Sequence, residues 1–234
     1  MPVPTTDTKS VPDANALRSN VAVFDLDRTL IPGSSLMALA REFARQGLVP
    51  RTQLARHAGR SFVFARRGLG DGAVDSVRTG ALAALAGRAV CDLAPVAREV
   101  GRRLAVDVYG GARRLLELHQ MAGDFCVLLS ASPQELVEAV GHALGAHRAV
   151  GTRVEVAGGR YTGRLDGTFC YGVGKLTRLR DELGDVDLGT AHAYSDSASD
   201  VPLLAACGRP VAVNPDRRLR AAARANGWPV IELS

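Results

Sequence analysis
From residue 112 to the C-terminus, short apolar runs alternate with single stretches of helical spacing, and this alternation constrains the fold more than any other feature of the chain. Phe125 to Ser130, Ala191 to Ser195, Pro210 to Val213 and Pro229 to Glu232 have the length of strands. Between and beside them lie helical stretches at Ala112–Met121, from Pro133, from Gly174, at Ser199–Cys207 and at Asp216–Asn226. Strands separated by one helix pair in parallel, and a parallel sheet is covered by helices on both faces. An earlier run, Val21-Ala22-Val23-Phe24, ends in Asp25-Leu26-Asp27-Arg28-Thr29 and reads as a further buried strand stopping at a polar turn. The expected class is α/β. Ser132-Pro133-Gln134-Glu135 is expected to act as a capping box with proline in the first helical position. Arg153 to Phe169 is expected to form a hairpin about Gly158-Gly159.

Between the first strand and the rest the period changes. Leu36, Leu39, Ala40, Phe43, Ala44 and Leu48 form one apolar stripe on a helix capped by Ser34 or Ser35. Helical patterning rich in Ala, Leu and Arg continues to about Asp107, so this stretch is expected to be an all-helical cap inserted beside the sheet. The expected organisation is a disordered leader over 1–19, a core from 20–32 plus 108–234, and a helical cap over 33–107.

Composition excludes several classes. With 47% hydrophobic and 23% charged residues the chain is globular rather than disordered. No apolar run reaches the roughly 20 residues needed to span a bilayer, and the N-terminal stretch lacks the apolar segment of a signal peptide. Cys91, Cys126, Cys170 and Cys207 are widely spaced, which suggests reduced thiols in a cytoplasmic protein with no membrane partner. The net charge of +5 is concentrated in the insertion, where twelve arginines face six acidic residues between Gly33 and Asp107. Those arginines are interleaved with alanine, aromatics are few, and no nucleic-acid module is recognisable, so no nucleic-acid partner is expected. The five histidines show no ligand spacing. Of the 29 basic residues only Lys9 and Lys175 are lysine, and Lys9 lies in the polar leader.

Ligands of open α/β sheets sit at the carboxyl ends of the strands. The polar residues expected there are Asp25, Asp27 and Thr29, then Ser130, then Asp196 with Asp200, while Lys175 opens a helix. Carboxylates at i and i+2 on an extended segment project to the same side. Buried and unpaired they would be costly, so a cation is their natural partner. Asp25 and Asp196 could each offer Mg²⁺ one carboxylate, with a backbone carbonyl, water and a substrate phosphate completing an octahedron. Ser130 offers a hydroxyl before a helix N-terminus, and Lys175 a point charge for the same anion.

Phe24-Asp25-Leu26-Asp27-Arg28-Thr29-Leu30, Leu129-Ser130-Ala131-Ser132-Pro133, Gly174-Lys175 and Tyr194-Ser195-Asp196-Ser197-Ala198-Ser199-Asp200 together resemble the four ordered motifs of the haloacid dehalogenase superfamily. The similarity is greatest to its phosphoserine-phosphatase-like branch, which has a helical cap after the first motif. The resemblance implies a Rossmann-like core and a Mg²⁺-dependent phosphatase that hydrolyses a small-metabolite phosphomonoester through an aspartyl-phosphate. It implies Asp25 as nucleophile and Asp27 as general acid and then base. It further implies Asp25, Asp27 (by its carbonyl) and Asp196 around the metal, and Thr29, Ser130, Ala131 and Lys175 around the phosphoryl group, with Asp200 and Ser199 in support. Phosphoserine phosphatases carry a Glu nine residues after the nucleophile; here that position is Ser34, so weak activity on phosphoserine is expected. The residues usual before the two late aspartates, Gly and Asn, are here Ser195 and Ser199. A phosphotransferase using the same intermediate is an alternative. A phospho-aspartate receiver fits less well, because such domains have about half this length and no Asp follows the strand ending at Ser130. The sequence does not specify an oligomeric state.

Overall fold
The computed structural model describes residues 20–49, 71–184 and 186–234; the expected leader and the segment 50–70 of the expected cap lie outside them. Six strands form the main sheet: β1 (Val21–Asp25), β2 (Phe125–Pro133), β3 (Arg148–Thr152), β6 (His192–Ser195), β7 (Arg209–Val213) and β8 (Val230–Ile231). Their order is β3-β2-β1-β6-β7-β8 and every pairing is parallel. A separate antiparallel hairpin consists of β4 (Val154–Ala157) and β5 (Arg160–Leu165), as expected about Gly158-Gly159. This is an α/β Rossmann-like architecture. No helix among the described residues is long and apolar enough to cross a membrane.

Strand β1 occupies the centre, and all five of its residues are buried. Side chains alternate across a strand. Ala22 and Phe24 therefore enter one apolar layer, with Leu116, Leu136, Val137 and Val140, while Val21 and Val23 enter the other, with Leu179, Leu203, Leu204 and Leu219. Helices α4 (Gly110–Met121) and α5 (Gln134–Ala143) supply the first layer. The second comes from α6 (Val173–Leu183), α7 (Val201–Ala206) and α8 (Arg217–Asn226). Between β1 and α4 the chain forms α1 (Ser35–Arg45), α2 (Asp71–Leu85) and α3 (Val90–Val106). Ser34 caps α1, its hydroxyl accepting from the Met37 amide at 3.4 Å.

The capping box at Ser132 is not formed. Strand β2 runs on to Pro133, which is itself the residue before the helix and has no side chain to cap it. The Ser132 hydroxyl instead meets Ser35 Oγ at 2.6 Å, and Glu135 accepts from the Tyr161 hydroxyl at 2.7 Å. Gln134, the first residue of α5, is tied to β3. Its side chain accepts from Gly151 N at 2.6 Å and donates to Ala149 O at 2.9 Å, joining the irregular end of β2 to β3.

His119, to which the sequence assigned no role, lies in a buried network. Its Nδ1 is 2.6 Å from Asp124 Oδ2 and its Nε2 is 2.8 Å from the Tyr194 hydroxyl. The Tyr194 ring stacks on Phe24 with centroids 4.8 Å apart. Polar groups inside a sheet–helix layer require such partners. This network fixes α4 against β1 and β6 just below the carboxyl ends of those strands.

Helix α3 packs on α5 at a glycine. A Cβ on Gly101 would lie 2.5 Å from Leu136 O and 2.8 Å from Ala139 Cβ. The backbone at Leu136 cannot give way without moving the helix. Gly101→Ala is therefore expected to destabilise the protein by about 1–2 kcal/mol, because overpacking of roughly 1–3 kcal/mol exceeds the gain in helix propensity. Gly110→Ala, where nothing lies within 4 Å, serves as the control and is expected to be neutral or stabilising. Denaturant midpoints of the two variants check this; equal midpoints would refute the close packing at Gly101.

Candidate active site
The strand order reverses direction between β1 and β6. The chain builds outward from β1 through β2 to β3, then returns to β6 and builds outward the other way. At such a switch point the connections leave on opposite faces and open a crevice at the carboxyl ends. Asp25 ends β1 and Asp196 directly follows β6, so the topology alone places both at the crevice.

Asp25 is buried and held on both oxygens. Thr29 Oγ1 donates to Oδ2 at 3.0 Å and Lys175 Nζ donates to Oδ1 at 2.6 Å. Thr29 can reach back four residues because the turn after β1 closes on itself: the Leu30 and Ile31 amides donate to Leu26 O at 2.9 and 3.1 Å, and Arg28 N donates to Ile31 O at 2.8 Å. Arg28 adopts a left-handed backbone (φ 61°) to make this turn, a conformation unfavourable for a side chain with a Cβ. Its guanidinium Nε lies 2.9 Å from Asp196 Oδ2. Asp27 points its Oδ1 at the Ser35 amide, which donates at 2.9 Å from the first turn of α1.

Lys175 is 4% exposed and stands in the first turn of α6. Its Nζ donates at 2.6 Å to both Asp25 Oδ1 and Asp200 Oδ2. The turn that delivers it is tight. A Cβ on Gly174 would lie 2.0 Å from Phe169 O, so only glycine fits there. Asp200 also accepts from Ser195 Oγ at 2.6 Å, and Ser199 Oγ lies 3.3 Å from its other oxygen. Ser130 is buried within β2, three residues before its end, and its Oγ accepts from the Ser132 amide at 3.2 Å. Ala131 O accepts from Thr152 Oγ1 at 2.8 Å, tying this part of β2 to β3. The Asp216 amide donates to Asp196 O at 2.8 Å and its carboxylate accepts from Ala198 N at 3.1 Å, which bracket the loop that carries Asp196.

The electrostatics follow from crowding in a dry space. Burial, opposed by Lys175 but reinforced by Asp200, raises the Asp25 carboxyl above its ordinary range. Burial and then the Asp25 charge raise Asp196, against the pull of Arg28. Burial raises Asp27 in spite of the hydrogen bonds it receives from the Ser35 side chain and amide. For Lys175 burial acts downward, yet Asp200 and Asp25 outweigh it and push the ammonium up. The carboxylates are thus short of positive charge, and a hard divalent cation taking oxygen ligands fits the donors Asp25, Asp27 and Asp196. Among the described residues no group of three or more His, Cys, Asp or Glu side chains is arranged to hold a metal ion by itself.

The structure brings Asp25, Thr29, Lys175, Asp200 and Ser199 into one linked set, with Asp27 and Asp196 at its edge. Ser130 and Ala131 lie on the neighbouring strand β2. Four contributors carried no role in the site from the sequence: Arg28, Ser35, Ser132 and Ser195, of which Ser35 and Ser132 were expected only as helix caps. Ser195 could have been suspected, since a serine replaces the usual glycine there. The others contact residues distant in the chain or use a backbone amide, which leaves no spacing signal.

Residues 22–205 match the haloacid dehalogenase-like hydrolase family. The chain is 36% identical over 218 residues to a phosphoserine phosphatase of Mycobacterium tuberculosis, covering 89% of this chain and 69% of that protein. It is 34% identical over 221 residues to the histidinol-phosphatase of Neisseria meningitidis serogroup C, covering 92% and 99%. In structure it is similar to a protein from Bordetella pertussis Tohama I, with a TM-score of 0.79 and 33% identity over 91% of this chain and 98% of that one. A family match over most of the chain, relatives at this identity and aspartates at the switch point agree: the chain belongs to the haloacid dehalogenase-like hydrolase family.

Proposed function
We propose that the protein is a Mg²⁺-dependent phosphatase of a small phosphorylated metabolite, acting through an aspartyl-phosphate on Asp25. The observation that carries this reading is the Asp25 carboxylate at the switch point, oriented on both oxygens by Thr29 and Lys175, with a second carboxylate two residues further on. The names of the two relatives support the substrate class. Phosphoserine and histidinol phosphate are both phosphate esters of primary alcohols, and such an ester is the class we assign. In this reading residues 33–107 cap a core formed by 20–32 and 108–234.

Asp25 attacks phosphorus in line, and the bond from phosphorus to the alcohol oxygen breaks. Asp27 gives its proton to that oxygen, so the alcohol leaves neutral. A water then attacks the phosphorus of the aspartyl-phosphate while Asp27 takes the water's proton; the bond to Asp25 breaks and inorganic phosphate departs. Thr29 and Lys175 keep the nucleophile aimed, and Asp200 holds the Lys175 ammonium at that position. Ser130 and Ala131 border the phosphoryl group from β2. Asp25, Asp196 and the Asp27 carbonyl would hold Mg²⁺, which would supply the charge neutralisation that lets an anionic carboxylate approach an anionic phosphate.

Substrate recognition departs from that of phosphoserine phosphatases. The Ser34 hydroxyl is exposed and engaged as the helix cap, so it brings no negative charge to a substrate ammonium. In a panel of metabolite phosphates, kcat/KM for phosphoserine is expected to fall at least tenfold below that of the best substrate. Efficient, selective turnover of phosphoserine would overturn this.

Turnover of an aryl phosphate is expected to vanish in chelator and in Asp25→Asn. Lys175→Arg is expected to lower it at least tenfold, because a planar guanidinium cannot replace a compact ammonium donating to two carboxylates in a closed niche. Wild-type rates in Asp25→Asn would sink the reaction; wild-type rates in Lys175→Arg would return that lysine to coincidence.

The cation can also be read from stability. Carboxyl groups whose pKa is higher in the fold than in the unfolded chain bind protons preferentially in the fold. Metal-free stability therefore declines as pH rises from about 4 through the raised values. A cation that replaces those protons binds better as pH rises. Mg²⁺ is expected to raise the melting temperature more at pH 8 than at pH 5, and Asp196→Asn to remove most of the increment. An increment independent of pH and of Asp196 would place the cation elsewhere.

A further inference from the structure
We infer that Ser35 and Ser132 are a positioning pair that holds the general acid Asp27 in register with the phosphoryl-binding loop, an inference that rests on the reaction proposed above. Ser35 is fully buried in the first turn of α1, and Ser132 is 2% exposed near the end of β2. Their hydroxyls meet at 2.6 Å across 97 residues of chain. Each element already has a simpler way to fold. Alanine is the better helix former at a buried position in α1, and nothing in a parallel strand requires a hydroxyl at Ser132. A buried hydroxyl without a partner is costly, so each serine makes the other tolerable.

The pair closes a continuous path. Asp27 Oδ1 accepts from the Ser35 amide at 2.9 Å, Ser35 Oγ meets Ser132 Oγ, and the Ser132 amide donates to Ser130 Oγ at 3.2 Å. The path therefore runs from the acid on the β1 turn, through the start of α1, to the serine that borders the phosphoryl group. The α1 helix carries the amide that orients Asp27, and the hydroxyl pair sets how far that amide stands from β2. Without the pair, α1 can shift relative to β2 and the acid loses its alignment with the leaving oxygen. A primary alkoxide leaves poorly and depends on that proton; a nitrophenolate leaves well and does not.

The test is the leaving-group dependence of kcat/KM, which reports the steps up to release of the alcohol and is blind to hydrolysis of the aspartyl-phosphate. Ser132→Ala and the double variant Ser35→Ala/Ser132→Ala are compared with wild type on an alkyl phosphate and on p-nitrophenyl phosphate. The double variant removes both hydroxyls, leaves neither unpartnered and so protects folding. General acid catalysis contributes about 10²–10⁴-fold. In both variants kcat/KM for the alkyl phosphate is expected to fall at least tenfold and that for p-nitrophenyl phosphate less than threefold. Equal losses on both substrates would reduce the pair to a structural contact, and unchanged rates would dismiss it; either outcome overturns this inference alone. Wild-type protein inactive on both esters would overturn the reaction and this inference with it.

Discussion
Asp25 and Asp200 are drawn from segments 175 residues apart and share a single ammonium in a space largely closed to water. Removing one partner of such a buried ion pair costs about 3–5 kcal/mol, because the remaining charges are left uncompensated. Lys175 also sits where helix energetics oppose it. A cation in the first turn faces the positive end of the helix dipole, and α6 has no acidic residue there to balance it. Helix stability cannot account for the position of this lysine. The two carboxylates do, and the ammonium held between them in turn orients Asp25.

The sheet dictates where that triad can exist. Asp25 follows Phe24 on β1 with the side-chain alternation of a strand, so it falls on the face that carries Val21 and Val23. Helix α6 covers that face, and its first turn reaches the carboxyl end of β1. Ser195 falls on the same side of β6, in step with Asp25, since Phe24 pairs with Tyr194. On the opposite face the Tyr194–His119–Asp124 network and the stacked Phe24 ring hold the same two strands together. Polar chemistry at the crevice is thereby supported from beneath by a buried layer that never touches it.

Much of this could be read from the residues because parallel strands write themselves as short continuous apolar runs. Val21–Phe24 and Phe125–Leu129 are such runs, Ala191–Tyr194 is one interrupted by His192, and each is followed by a polar residue that the fold places at the crevice. Strand β3 was illegible for the opposite reason. It lies at the sheet edge, its first two residues are only partly buried, and Gly151 interrupts it. That glycine answers a tertiary need, since a Cβ there would lie 2.8 Å from Ser132 O and 2.9 Å from Gln134 Cα. The failed capping box has a related cause. Ser132 has the right spacing to Glu135, but a partner from α1 claims its hydroxyl, and local pattern holds no information about α1. Arg28 escaped because its role depends on a left-handed turn that its residue type does not advertise.

The serines that replace the usual residues of the last motif show how such departures are accommodated. A glycine at position 195 would leave Asp200 with Lys175 as its principal donor. Ser195 adds a hydroxyl donating at 2.6 Å to the same Oδ2 that takes the ammonium, and Ser199 approaches the other oxygen. Hydrogen bonds to a charged carboxylate are stronger than neutral ones, and more so where water is excluded. These hydroxyls satisfy the Asp200 carboxylate without a second cation, so the Lys175 charge remains available to Asp25. The hydroxyl at Ser195 is fully buried and its own oxygen accepts from the Ser197 amide at 3.3 Å, which fixes its direction. A substitution that departs from the family pattern thus reinforces the Asp200–Lys175 contact that orients Asp25.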